Sequence, residues 1–243
     1  MIGIILAGGD GRRLKDSFNN DCCKPLVTVN NKKLIEYALE NLIELDINMA
    51  YIVVGKKSDM IIKTIGNEYK NLKIRYVYQP EQKGLINAVV QALNDMTCDE
   101  TVVLQLSDEI FIDLKTETIK RNIESGDYDF YCGVTIEEDP QKIKSNFSVE
   151  IDDSLNIKKC TEKPLVVTND LKGTGFCVFN NTMLQMLKSH YNDENNTPYD
   201  LCDYINWLIK ENKKGLALPV AKREFNINTL ENLIEAQNYF MAI

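Results

Sequence analysis

Through the first hundred residues, short apolar runs rich in β-branched side chains alternate with longer stretches whose apolar positions recur every three to four residues. The runs Ile2–Leu6, Tyr51–Val54, Ile74–Tyr78 and Thr101–Leu106 carry few polar residues, as strands do when helices cover both faces of a sheet. Lys33–Leu45 places Leu34, Ile35, Ala38, Leu39, Leu42 and Ile43 on one helical stripe, and Leu85–Leu93 repeats the pattern more briefly. Such alternation predicts βαβ units and a parallel sheet. Beyond Asp108 the rhythm changes. Asp129–Ile136, Phe147–Ile151, Ile157–Cys160 and Gly175–Phe179 read as strands joined by polar or turn-rich connections, so this half is expected to be mixed or antiparallel. Helices are predicted over Asn181–Tyr191, Asp200–Asn212 and Thr229 to about Tyr239, with a strand at Leu216–Val220. No repeat, low-complexity tract or Pro/Gly/Ser-rich linker divides the 243 residues. The expected fold class is therefore a single α/β domain with a mixed central sheet flanked by helices.

Charge narrows the choice of partners. A formal net charge of −8 and no clustered Lys/Arg block leave no footprint for nucleic acid. No apolar run approaches the roughly 18 residues of a membrane span, so no membrane is expected. The apolar start, Met1–Gly8, lacks a basic leader and is soon broken by glycine, which points to a cytoplasmic location. Seven cysteines without a CxxC spacing read as reduced thiols, and the adjacent Cys22 and Cys23 read as structural, because no histidine stands near to activate them. The one histidine, His190, rules out a multi-histidine zinc centre.

Candidate chemistry begins at the loop after the first strand, since open α/β sheets bind ligands beyond the carboxyl ends of their strands. It reads Leu6-Ala7-Gly8-Gly9-Asp10-Gly11-Arg12-Arg13-Leu14. Three glycines in four positions let backbone N–H groups approach an anion, and the arginines add fixed positive charge, a combination suited to a polyphosphate. The stretch fails the dinucleotide fingerprint at its third glycine and lacks the GK[ST] ending of a P-loop. A second cationic element, Lys24-Pro25-Leu26, follows a polar loop.

These two spaced elements, LAGGDGRRL and KPLVTVNNKKLIEYALENL, resemble the N-terminal signature of the sugar-phosphate nucleotidylyltransferases, among them the glucose-1-phosphate thymidylyl- and uridylyltransferases. The resemblance implies a GT-A-like (Rossmann-like) fold, with a nucleotide-binding half over 1–110 and an acceptor-binding half over 111–243. Its substrates would be a nucleoside triphosphate, UTP or dTTP favoured, and a sugar 1-phosphate, with Mg²⁺ as cofactor. It continues along the chain. Leu6, Ala7, Gly8, Gly9 and Gly11 would cradle the nucleotide, and Gln79 and Gly84 would hold its base. Asp108, at the end of an apolar strand, would bind the metal. Glu162 and Lys163 resemble the clamp on the acceptor sugar and its phosphate, and Gly175 lies in a strand resembling the one that lines the sugar pocket. Phe225-Asn226-Ile227-Asn228-Thr229 resembles the closing motif with the second metal ligand. In-line attack of a sugar phosphate on the α-phosphorus needs cations more than a general base. Arg13 suits the leaving pyrophosphate, Lys24 the α-phosphate and Lys163 the incoming phosphate.

Several positions depart from the family pattern. Many members have aspartate at Asn226, so the second ligand is the neutral carbonyl oxygen of either Asn226 or Asn228. Cys23 replaces the usual proline, and Ser148 stands where a glycine often meets the sugar. An appended β-helix acyltransferase domain is not expected. Relatives are commonly oligomeric, which makes a homo-oligomer possible. Two readings compete with the sugar assignment: a CTP-dependent enzyme for a choline-like or amino-acid-derived phosphate, and a nucleotide-binding homologue with weakened catalysis. A glycosyltransferase is disfavoured because Asp108-Glu109-Ile110 supplies no DxD.

Overall fold

The computed structural model describes residues 1–9, 11, 14, 23–96, 99–192, 194–195 and 197–242. In chain order the strands are β1 (Ile2–Ala7), β2 (Thr28–Val29), β3 (Lys32–Lys33), β4 (Met49–Val54), β5 (Glu68–Tyr69), β6 (Leu72–Tyr78) and β7 (Val102–Leu106), followed by β8 (Glu109–Ile112), β9 (Phe130–Ile136), β10 (Phe147–Ile151), β11 (Ile157–Glu162), β12 (Leu171–Phe179), β13 (Gly215–Pro219) and β14 (Arg223–Asn226). The helices are α1 (Leu34–Glu44), α2 (Ser58–Ile65), α3 (Leu85–Asp95), α4 (Thr116–Ser125), α5 (Pro140–Lys144), α6 (Asn181–His190), α7 (Leu201–Lys210) and α8 (Leu230–Met241).

Among the described residues, ten strands form one sheet in the order β11-β10-β12-β7-β1-β4-β6-β5, with β9 pairing to β12 and β13 pairing to β9. The expected division is present: β7, β1, β4 and β6 run parallel, and β12 joins β7 antiparallel. Beyond that seam β10 pairs antiparallel with β11 and β12. Strands β1, β4 and β7 are buried on both faces, which is why they read as continuous apolar runs, whereas β6 alternates buried with exposed positions such as Lys73, Arg75 and Tyr78. One face packs Ile86, Val89 and Leu93 of α3 with Met183 and Leu187 of α6 and Ile205 and Leu208 of α7. The other packs Ile35, Leu39 and Leu42 of α1 with Ile61 and Ile65 of α2. Each such Leu or Ile contributes roughly 1.5–3 kcal/mol on burial.

Helices α2, α4 and α5, the strand pairs β2–β3 and β8–β14, and β5 go beyond the periodicity reading. Helix α4 buries Ile119 fully, packs Ile123 one turn later and otherwise carries mainly polar residues, so its stripe is only two residues long, and α2 buries Ile61 and Ile65. Strands β8 and β14 form a separate antiparallel pair, Asn226 opposite Glu109. A third apolar cluster, including Leu34, Tyr37, Ile110, Phe225, Ile227 and Leu233, seats that pair against α1 and α8. His190 stacks on Trp207 with ring centroids 4.0 Å apart, a packing role that agrees with its lone occurrence. Among the described residues, no helix is long and apolar enough to cross a membrane.

Candidate active site

Strand β1 lies between β4 and β7 near the middle of the sheet, so its carboxyl end opens directly beneath the glycine turn. Gly8, Gly9 and Gly11 form one wall of a cleft of about 470 Å³, together with Leu6, Lys24 and Gln79. Asp108, Asn228, Tyr199 and Gly84 line it as well. Gly11 has φ +59, and a Cβ there would stand 2.9 Å from the Lys24 Cβ, so backbone and lysine approach as closely as glycine permits. A short 3-10 turn, Lys24–Leu26, fixes the lysine, with Pro25 in its first positions.

The Lys24 ammonium hydrogen-bonds the Asp108 carboxylate and donates to Asn228 Oδ1 at 2.8 Å. This convergence has a backbone cause. Asp108 stands two positions past the end of β7, after Ser107, and its carbonyl accepts from Ile227 N–H at 2.9 Å, which brings the end of β14 against the end of β7. Asn228 itself donates Nδ2 to Asn226 Oδ1 at 2.6 Å, and Asn226 Nδ2 donates to Asn146 Oδ1 at 2.8 Å. Of the two candidate metal ligands, Asn228 thus shares its oxygen's cation with Asp108, while Asn226 stands behind it.

Gln79 is buried, and its amide nitrogen donates to Asn87 Oδ1 at 2.9 Å and to the Gly84 carbonyl at 3.3 Å. Its Oε1 therefore turns toward Gly8, where a Cβ would lie 3.1 Å from it. Gln82, which sequence reasoning passed over, donates to the Gly8 carbonyl at 2.8 Å and braces the glycine turn. Gly84 starts α3 at φ +90, and any Cβ there would meet the Tyr199 carbonyl at 2.7 Å and its ring at 2.8 Å.

Among the described residues, the remaining predicted positions lie apart from this cleft's lining. Ala7 is buried in the core. Glu162 ends β11, and Lys163, two-thirds exposed at 65%, sits 3.4 Å from its carboxylate. Burial pushes the Glu162 carboxyl above its ordinary range, against the lowering effect of Lys163 and with a further upward push from Asp200. Lys163 adopts φ +44, and its N–H donates to the Asn146 carbonyl at 2.7 Å. Gly175 is packed against Leu106, and its N–H donates to both Glu109 carboxylate oxygens at 2.8 and 2.9 Å. Arg13 lies outside the described residues.

A buried ionic group, whose Lys172 and Glu224 line a smaller cavity together with Asn226 and Asn228, gave no sequence signal. Lys172 pairs with Glu224 at 2.6 Å, side chains 3% and 1% exposed, and stands 3.5 Å from Glu137. Glu109 is buried nearby, and burial, Glu224 and Asp108 together push its carboxyl well above the usual range. One ammonium faces several carboxyls, so the lysine is pushed up by Glu224 despite its burial while Glu224 itself is pushed up because burial outweighs its partner.

The donor set fits a hard divalent cation. Asp108 and the Asn228 carbonyl oxygen already converge on one positive charge, the Lys24 ammonium. No group of three or more His, Cys, Asp or Glu side chains is placed to hold a metal among the described residues. A carboxylate, an amide oxygen, waters and phosphate oxygens form the kind of shell that Mg²⁺ accepts.

Comparison with known proteins agrees with this architecture. The chain is 28% identical to the UTP–glucose-1-phosphate uridylyltransferase AglF of Haloferax volcanii over 98% of its own length and 95% of that protein's. It is 32% identical to the low-salt glycan biosynthesis nucleotidyltransferase Agl11 of the same organism over 74% of its length, spanning 49% of that relative. It likewise spans half the length of the bifunctional protein GlmU of Clostridium botulinum, 50%, at 28% identity over 96% of this chain. A solved UDP-glucose pyrophosphorylase in complex with UDP-glucose superposes with a TM-score of 0.82, at 19% identity and with 99% of this chain and 98% of that one covered, a likeness of fold. Residues 2–240 match the model of the nucleotidyl transferase family, and the chain belongs to that family.

Proposed function

We propose that the protein condenses a nucleoside triphosphate, UTP or dTTP, with a sugar 1-phosphate to give a nucleoside diphosphate sugar and pyrophosphate. The observation that carries this reading is the meeting of Lys24, Asp108 and Asn228 beneath an open glycine turn, at the carboxyl ends of the central strands. The relatives' names support the substrate class: AglF is a UTP–glucose-1-phosphate uridylyltransferase, and a Streptomyces griseus relative, 26% identical over 86% of this chain, is a glucose-1-phosphate thymidylyltransferase.

In the reaction an acceptor phosphate oxygen forms a bond to the α-phosphorus while the bond from that phosphorus to the bridging oxygen of pyrophosphate breaks. Positioning and charge neutralisation supply most of the rate. Mg²⁺, held by Asp108 and Asn228, would neutralise phosphate charge when bound. Lys24 then exchanges Asp108 for the α-phosphate, a movement its side chain can make about the fixed 3-10 turn. Glycine-turn amides meet the triphosphate, with Gln79 Oε1 facing the same space. Arg13 is assigned to the leaving pyrophosphate, and Glu162 and Lys163 to the acceptor's hydroxyls and phosphate. The test is pyrophosphate release from each common triphosphate with a panel of sugar 1-phosphates, phosphocholine and amino-acid-derived phosphates, with and without Mg²⁺. Turnover confined to sugar 1-phosphates is expected, and release with phosphocholine alone would overturn the sugar assignment.

A further inference from the structure

The three asparagines behind the cation position are connected in one direction. Asn146 Nδ2 donates to the Lys142 carbonyl at 2.9 Å. Its Oδ1 accepts from Asn226 Nδ2 at 2.8 Å, and Asn226 Oδ1 accepts from Asn228 Nδ2 at 2.6 Å. Asn228 Oδ1 ends the series on the Lys24 ammonium at 2.8 Å. Both ends are chemically unambiguous, since a backbone carbonyl can only accept and an ammonium can only donate. With the ends fixed, each amide between them has one allowed orientation. A flip of any one would set nitrogen against nitrogen or oxygen against oxygen.

We infer that Asn146 is a positioning residue that keeps the oxygen of Asn228, rather than its nitrogen, turned toward the cation. The inference rests on the reading of Asp108 and Asn228 as the metal-holding pair. An aspartate at this ligand position would need no such device, because both its oxygens can accept. A neutral amide presents an oxygen or an NH₂ group depending on a rotation of half a turn, and only the oxygen can meet a cation. The relay makes that choice in advance, so the exchange of ammonium for metal beside Asn228 leaves the polarity of the series intact. Asn146 also accepts the Lys163 N–H through its main-chain carbonyl at 2.7 Å. That bond uses no side-chain atom, which separates the two duties experimentally.

The test uses the full chain with the α,β-methylene analogue of whichever triphosphate turns over, and Mn²⁺ as the metal. Electron paramagnetic resonance reports Mn²⁺ retained beyond what the nucleotide analogue alone retains. Partners that orient a metal ligand typically change affinity 10–100-fold. Asn146→Ala is expected to weaken Mn²⁺ retention at least about ten-fold. Asn146→Asp still accepts from Asn226 but sets its second oxygen against the Lys142 carbonyl, so it is expected to retain Mn²⁺ clearly better than Asn146→Ala though below native. The acceptor KM should hold in both variants while the metal activation constant moves most in Asn146→Ala. If Asn146→Ala does not fold, as judged by circular dichroism, Asn146→Ser replaces it, its hydroxyl being too short to reach Asn226. Mn²⁺ retention unchanged in the Ala or Ser variant, while Asp108→Ala loses it, would refute the relay and leave the site standing. Equal loss in Asn146→Asp would refute it too. Retention unchanged in Asp108→Ala would remove the metal site itself, and the relay with it.

Discussion

Replacing Lys172 with methionine removes the one ammonium from a buried group that holds Glu224 at 2.6 Å and Glu137 at 3.5 Å, with Glu109 close by. The side chains of Lys172 and Glu224 are 3% and 1% exposed, so water cannot take the place of the lost partner. Methionine fills much the same volume, which isolates the charge effect from a cavity. Breaking a buried pair by removing one partner costs about 3–5 kcal/mol, because an uncompensated charge stays behind. Glu224 Oε1 already lacks a hydrogen-bond partner, so the carboxylate has little left to satisfy it. The double variant Lys172→Met, Glu224→Leu removes both charges and should recover most of the loss. Urea unfolding at pH 8 measures both. Lowering the pH adds a signed check. Without Lys172 the folded-state pKa of Glu224, already raised in the native protein, rises further above its unfolded value, so the folded state binds the extra proton. Stability of the variant then falls as pH rises, and its deficit is smallest below the ordinary carboxylate range, where both states are protonated. A deficit under about 1 kcal/mol at pH 8, or one as large in the double variant, would refute the reasoning.

Further expectations concern the cleft. Asp108→Ala should reduce metal-dependent turnover by at least about a hundred-fold, as loss of a principal electrostatic group does, with its urea midpoint near native; a milder loss in steady-state assays would count against the metal role. Lys163→Ala should raise the acceptor KM while leaving the triphosphate KM in place, since its side chain lies off the nucleotide cleft; equal shifts in both constants would contradict that separation. Gly84→Ala forces a side chain into φ +90 and onto Tyr199, at a cost on the order of 1–3 kcal/mol from the backbone alone. Its nucleotide affinity, measured by calorimetry, should fall, and native affinity with native stability would show that the turn can relax. Acceptor use should weaken toward acid pH, because the raised Glu162 carboxyl takes up its proton sooner than an ordinary one. Glu162→Gln should flatten that limb of the pH profile, and an unchanged profile would assign the limb elsewhere.

Much of this protein could be read from its residues in order. The parallel core was legible because strands buried on both faces write themselves as apolar runs, and α1 and α3 because their burial stripes keep helical spacing. The glycine turn was legible as an anion site at the end of such a strand, whereas the roles of Lys24, Gln79, Gly84 and Asp108 came from the family resemblance, and all of them line one cleft. Helix α4 was not legible, since it docks through Ile119 and the partly buried Ile123 alone, and a single i, i+4 pair in an otherwise polar stretch is too short a stripe to read. What the chain folded in three dimensions decided is pairing across long separations. Asn226 and Asn228 are equivalent on paper, both neutral amides two positions apart. Only the bond from Ile227 to the Asp108 carbonyl brings Asn228 to the cation and leaves Asn226 behind it. The Lys172–Glu224 pair lies 52 positions apart in the numbering, on strands that no local pattern joins. A charge becomes costly or useful only when water is removed around it, and that removal is the work of the whole fold rather than of any segment.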